Sequence, residues 1–137
     1  MSFISYPDGH VRALGVFHQY RSEDDYRAAL RLELDKLDSE DRPLIANYLR
    51  EGTLVLAWME YTRDVLGDLF GTSGGSAIRT DGTYFWRADA AEYVEHYGIA
   101  VPVSAIEHMR RNKWVPPNLS TDHVLLIDKF LSSHSDV

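Results

Sequence analysis

Gly71-Thr72-Ser73-Gly74-Gly75 is the first group of residues with a chemical reading, because it fits G-x-S-x-G, the turn that lifts a nucleophilic serine between a strand and the helix that follows. Strand-forming residues follow here instead of a helical pattern, and 137 residues are too few for an α/β-hydrolase or for the two barrels of a chymotrypsin-like protease. Nor do these glycines form a phosphate loop. That loop needs a Lys and then Ser or Thr directly after its last glycine, and Ser76-Ala77 stands there. The stretch is expected to be a flexible connector.

Six histidines, His10, His18, His96, His108, His123 and His134, form no H-E-x-x-H and no histidine pair at i, i+4. Glu92 and His96 share a helix face, which supplies two ligands at most, and such pairs are common on solvated helices. No metal and no cofactor are expected. Acid–base work would require a buried carboxylate with a partner, and Asp81, Asp89 and Glu92 lie near aromatic residues. A pocket between the strands and helices, built from Arg79, Asp81, Tyr84, Glu92 and His96, is the form that a small enzyme or ligand-binding domain would take. The pattern assigns no catalytic residue.

Composition narrows the field further. There is no cysteine, which excludes disulfides, thiolate metal sites and cysteine nucleophiles and favours a reducing, cytoplasmic setting. The N-terminus lacks the basic start and apolar run of a secretory signal, and no stretch approaches the roughly 20 apolar residues of a membrane span. Net charge is −7. Residues 22–41 hold eight carboxylates against three cations. A field of this sign repels phosphate backbones and attracts basic partners, although it also suffices as a solvated helical face.

The elements that must position these groups make an α+β domain over residues 1–131 with a frayed tail over 132–137: a small antiparallel sheet packed with about five helices. Two short strands are expected in residues 3–17 around Pro7-Asp8-Gly9. Ser22 caps a helix from Glu23 to Leu37, and Ser39 caps a second with Leu44, Ile45, Tyr48 and Leu49 on its apolar stripe and Gly52 as its stop. The apolar run from Thr53 to Tyr61 reads as a central strand buried on both faces. Asp81-Gly82 between Ala77–Thr80 and Thr83–Trp86 is the preferred two-residue hairpin turn. Helices follow over 88–97, 104–113 and from Ser120 or Thr121, the last with a broad apolar surface that predicts deep burial. Alternation along the hairpin puts Tyr84 and Trp86 on one face, which is either core or an exposed anchor patch.

The run Thr80-Asp81-Gly82-Thr83-Tyr84-Phe85-Trp86-Arg87-Ala88-Asp89, continuing to Tyr93, Val94 and Tyr97, resembles a strand-turn-strand-helix pattern of small uncharacterised actinobacterial proteins. Some of these are similar to immunity proteins of polymorphic toxin systems. The resemblance covers residues 76–109 and carries no catalytic residue; it implies a small cytosolic protein that binds and neutralises a toxin. Joined to the charge pattern, it yields the expectation of a non-catalytic binder that occludes a basic effector toxin. Asp24, Asp25, Asp35, Asp38, Glu40 and Asp41 would steer the encounter, and Tyr84, Trp86 and Arg87 would anchor the complex. Nucleic acid and membrane are not expected partners. The other readings are the pocket protein described above and a structural or regulatory subunit that dimerises through an edge strand.

Overall fold

In the computed structural model, which describes residues 9–56 and 61–133, four short strands form one sheet: β1 (Arg12–Ala13), β2 (Thr53–Leu56), β5 (Ile78–Thr80) and β6 (Tyr84–Arg87), in the order β1-β6-β5-β2. A separate antiparallel ribbon pairs β3 (Tyr61–Arg63) with β4 (Gly71–Ser73). Five helices complete the expected α+β architecture: α1 (Glu23–Arg31), α2 (Asp41–Arg50), α3 (Ala90–Tyr97), α4 (Val103–Arg111) and α5 (Thr121–Ser133). Among the described residues no helix is long and apolar enough to cross a membrane.

The core forms where α2 and α3 pack together behind the β5–β6 hairpin. Trp86 is fully buried there, beside Tyr48, Leu49, Tyr93 and Val94. Its indole Nε1–H donates to the Leu49 carbonyl at 2.9 Å, and this bond offsets the desolvation of its polar atom. Gly52 lets the chain leave α2 directly against this ring: a Cβ there would overlap the indole. At the other end of the core, α3 stops at Gly98, whose φ of 61° makes the left-handed cap.

Several expectations are corrected. The sheet is mixed, since β1 runs parallel to β6. The described part of the expected central strand is an edge: β2 shifts register after Leu54 and leaves Leu54 exposed, Tyr61 opens the separate ribbon, and residues 57–60 of the run lie outside the described residues. Apolar content alone does not distinguish a central strand from an edge strand that α5 lies against. The glycine-rich stretch 71–75 is a strand at its start, not a connector, and so presents no nucleophile turn.

Helix one ends at Arg31 rather than Leu37. The backbone N–H groups of Asp35, Lys36 and Leu37 donate instead to the carbonyls of Tyr97 and Gly98, and Ala100 donates back to Glu33, so segment 33–37 trades helical bonds for tertiary ones. Ser39 does not cap α2; the Asp38 carbonyl accepts from Asp41 and Arg42. The Asp81-Gly82 turn is longer than two residues, because only Gly82 has positive φ and Thr80 pairs with Phe85. Of α5 only Ile127 is fully buried, and Leu125 is exposed, so the expected deep burial fails. Ser132 and Ser133 are helical rather than frayed. The expected strand ahead of Gly9 and the tail after Ser133 lie outside the described residues.

Substituting Gly52 with alanine is expected to destabilise the fold by about 1–3 kcal/mol, because the methyl group must displace the Trp86 ring. Thermal unfolding of the Gly52→Ala variant checks this; an unchanged midpoint would show that the ring moves freely.

Candidate functional site

Asp81 is the one carboxylate of the β5–β6 hairpin, and both of its oxygens have partners. Its Oδ1 accepts from the backbone N–H groups of Thr83 and Tyr84 at 2.9 and 2.8 Å, and this Asx-type bonding shapes the turn. The other oxygen, Oδ2, accepts from the Tyr48 hydroxyl at 2.7 Å and stands 3.2 Å from His108 Nε2. Asn112 Nδ2 donates to the Tyr48 hydroxyl at 2.9 Å, so one network joins the hairpin to α2 and α4. Burial pushes the Tyr48 hydroxyl well above its ordinary pKa, Asn112 offsets part of this and Asp81 adds to it, which keeps the group a donor. With its acceptors committed, Asp81 is placed to join elements.

The five residues expected to share a pocket are not brought together. Asp81 and Tyr84 are buried in this network, with the Tyr84 ring edge-on to His108. Arg79 Nη1 donates to the Gly52 carbonyl at 2.7 Å. Glu92 and His96 lie on α3, where Arg50 reaches across from α2 to bind Glu92 at 2.9 Å and Glu95 at 2.8 Å. Glu92, Glu95 and His96 lie close enough together to ligate one ion. The Arg50 guanidinium already bridges both carboxylates, so the trio reads as a helix–helix ion-pair network.

The expected anchors are likewise inside. Trp86 and Tyr84 belong to the core, and Arg87 is buried with its guanidinium forked onto Asp89, Nε to Oδ1 at 3.1 Å and Nη2 to Oδ2 at 2.9 Å. Tyr26 completes this unit: its hydroxyl donates to Asp89 at 3.0 Å and its ring carries the Arg87 guanidinium 4.1 Å from its centroid. Alternation placed Tyr84 and Trp86 together correctly, but the packing of α2 and α3 decided which way that face points. A third buried carboxylate, Asp64, accepts from Leu66 and Leu69 N–H, both at 2.8 Å, and from the Tyr97 hydroxyl. Sequence reasoning passed over Asp64, although a lone Asp ahead of a Gly-Asp loop is a known local signal for side-chain to backbone bonding.

The six expected steering carboxylates are all at the surface, yet they do not make one face. Asp24 and Asp25 sit in the first turn of α1, whereas Asp35, Asp38, Glu40 and Asp41 lie beyond its other end, about 13 Å along the axis for a nine-residue helix. Asp24 pairs with Arg27 and Asp35 with Arg42, which removes part of each group's field. Asp38 and Glu40 are exposed and make no ion pair among the described residues. The second group occupies a corner, residues 32–44, that also exposes Leu32, Leu34 and Leu44, at 72%, 39% and 42% of their surfaces. This corner is rigid: its backbone bonds to Tyr97, Gly98 and Ala100, Asp35 holds φ at 54°, and the buried Leu37 pins it to the core.

Truncating Asp81 to alanine leaves the Tyr48 hydroxyl and two turn N–H groups without their acceptor. The expected loss is about 2–4 kcal/mol, measured by urea unfolding with an unchanged m value. Burial pushes the Asp64 carboxyl up, but the hydrogen bonds from Tyr97, Leu69, Leu66 and Gly67 outweigh it and hold the group below its ordinary value. The stability this linkage contributes is present above about pH 4 and is lost as pH falls through the depressed folded-state value. An Asp64→Asn variant should therefore lose less stability on acidification than the parent; parallel stability curves would show that the carboxylate carries no such linkage.

Comparison of the chain with protein-family models, with curated proteins and with solved structures finds no match to any of them.

Proposed function

We propose that the protein is a non-catalytic binding protein whose acidic corner, residues 32–44, docks a basic protein partner. The observation that carries this reading is the exposure of Leu32, Leu34 and Leu44 on a stretch with five carboxylates against Lys36 and Arg42. Exposed apolar side chains among like charges are what a recognition surface needs: the leucines exclude water on contact, while the carboxylates speed encounter and reject acidic surfaces. The corner's backbone bonding supports the reading as well. A surface held in place loses little conformational entropy when it binds. The resemblance to immunity proteins supports the specific form in which the partner is an effector toxin with a basic active-site groove. Tyr84, Trp86 and Arg87 have no part in this contact, which falls to the leucines instead.

The experiment compares a tagged parent with a variant carrying Asp38→Lys, Glu40→Lys and Leu32→Ser, chosen because none of the three residues is buried or ion-paired with a described residue. Co-expressed with the product of the neighbouring gene, tested as the toxin, the parent is expected to protect the cells and to co-purify with that product, with association weakening about tenfold between roughly 50 and 200 mM salt. The variant should melt like the parent and fail in both respects. Equal protection and salt-independent association by both would overturn the proposal.

A further inference from the structure

On the other side of α1, where the chain approaching that helix meets β3 and the end of β6, a cleft of about 310 Å³ reverses the charge of the molecule. Arg21, Arg63 and Arg87 line it against one carboxylate, Glu23, in a chain whose net charge is −7. Arg27, Arg42 and Arg50 are each bound to carboxylates. By contrast, Arg21 and Arg63 are exposed and make no ion pair or side-chain hydrogen bond with any described residue, despite the acidic excess of the chain as a whole.

Arg87 forms the inner wall. Its fork onto Asp89 consumes Nε and one Nη2 proton, and its stacking on Tyr26 fixes the plane of the guanidinium. That leaves Nη1 without a partner among the described residues, on a side chain that lines the cleft. Asp89 cancels the charge of Arg87 but not its directed N–H groups. Gln19 braces the entrance by donating Nε2–H to the Ser76 carbonyl at 3.0 Å. The cleft thus combines two uncommitted positive charges with a rigid buried donor, which matches a dianionic tetrahedral group more closely than a single carboxylate.

We propose that this cleft binds a small phosphate monoester, with Arg21 and Arg63 on the phosphate oxygens and Arg87 donating from the inner wall. The site is separate from the acidic corner and stands or falls independently of it. Glu23 lies at the same cleft and opposes the ligand's charge, which gives the proposal a signature of opposite sign: neutralising Glu23 tightens binding, while neutralising the arginines weakens it.

Titration calorimetry on the full chain, with inorganic phosphate, glycerol 3-phosphate and succinate as probes, tests it. Glycerol 3-phosphate is expected to bind with a dissociation constant on the order of 0.1–1 mM at low salt and inorganic phosphate more weakly. The Arg21→Gln, Arg63→Gln double variant should lose about tenfold or more in affinity, and Glu23→Gln should gain a few-fold, both with melting temperatures near the parent's. No saturable binding of either phosphate at about 10 mM would overturn the proposal. So would affinities unchanged in all the variants, or succinate binding as tightly as the phosphate ester.

Discussion

Three aspartates taken out of water set the terms on which this chain folds. A carboxylate buried without partners costs several kcal/mol, so Asp64, Asp81 and Asp89 each have to sit where donors converge. Each does so by joining parts of the chain that are distant in sequence. Asp81 ties the β5–β6 turn to Tyr48 on α2 and His108 on α4; Asp89 ties the start of α3 directly to Tyr26 on α1 and to Arg87 at the end of β6; Asp64 ties the β3–β4 connection to Tyr97 at the end of α3. Apolar burial around Trp86 supplies the driving force, but it is not directional. The carboxylates determine which helix stands against which strand.

The same requirement explains what is left outside. Once Tyr26 and Arg87 are committed to Asp89, the exposed Arg21 and Arg63 share the cleft at the start of α1 with Glu23 as its one lining carboxylate, and the cleft keeps a positive lining. At the far end of α1 the helix stops because segment 33–37 bonds to the end of α3, and that exchange turns Leu32 and Leu34 outward among acidic residues. An acidic, apolar corner and a basic cleft therefore stand at opposite ends of one short helix. Their separation limits the cancellation of the two fields, since screened charges beyond about 8 Å interact weakly at physiological salt.

How much of this was legible follows from the range of the interactions involved. The α1 start at Ser22, α3 with its Gly98 stop, and the strands around Asp81-Gly82 were all readable, because capping, left-handed termination and strand propensity act over a few residues. The early end of α1 and the edge position of β2 were not, because each is set by a partner far along the chain, and the strand at Gly71–Ser73 was missed because it pairs with Tyr61–Arg63 across a loop longer than a tight turn. Of the candidate residues, the acidic ones were recognised as a group but not as two groups. Tyr84, Trp86 and Arg87 were recognised as a unit, but nothing in their spacing said whether the unit faced in or out.

By itself, then, the sequence determined the α+β class, the absence of cysteine chemistry, the excess of carboxylates and the local turns and caps, all of which follow from residue type and near-neighbour spacing. Only the tertiary structure decided which carboxylates are structural and which are free, that the aromatic face of the hairpin is core, and that Arg21, Arg63 and Arg87 meet at one cleft. The reason is physical: whether a charge is satisfied depends on groups within a few ångströms in space, and for Asp89 with Tyr26, or Arg87 with Arg21, those groups lie more than sixty residues apart along the chain.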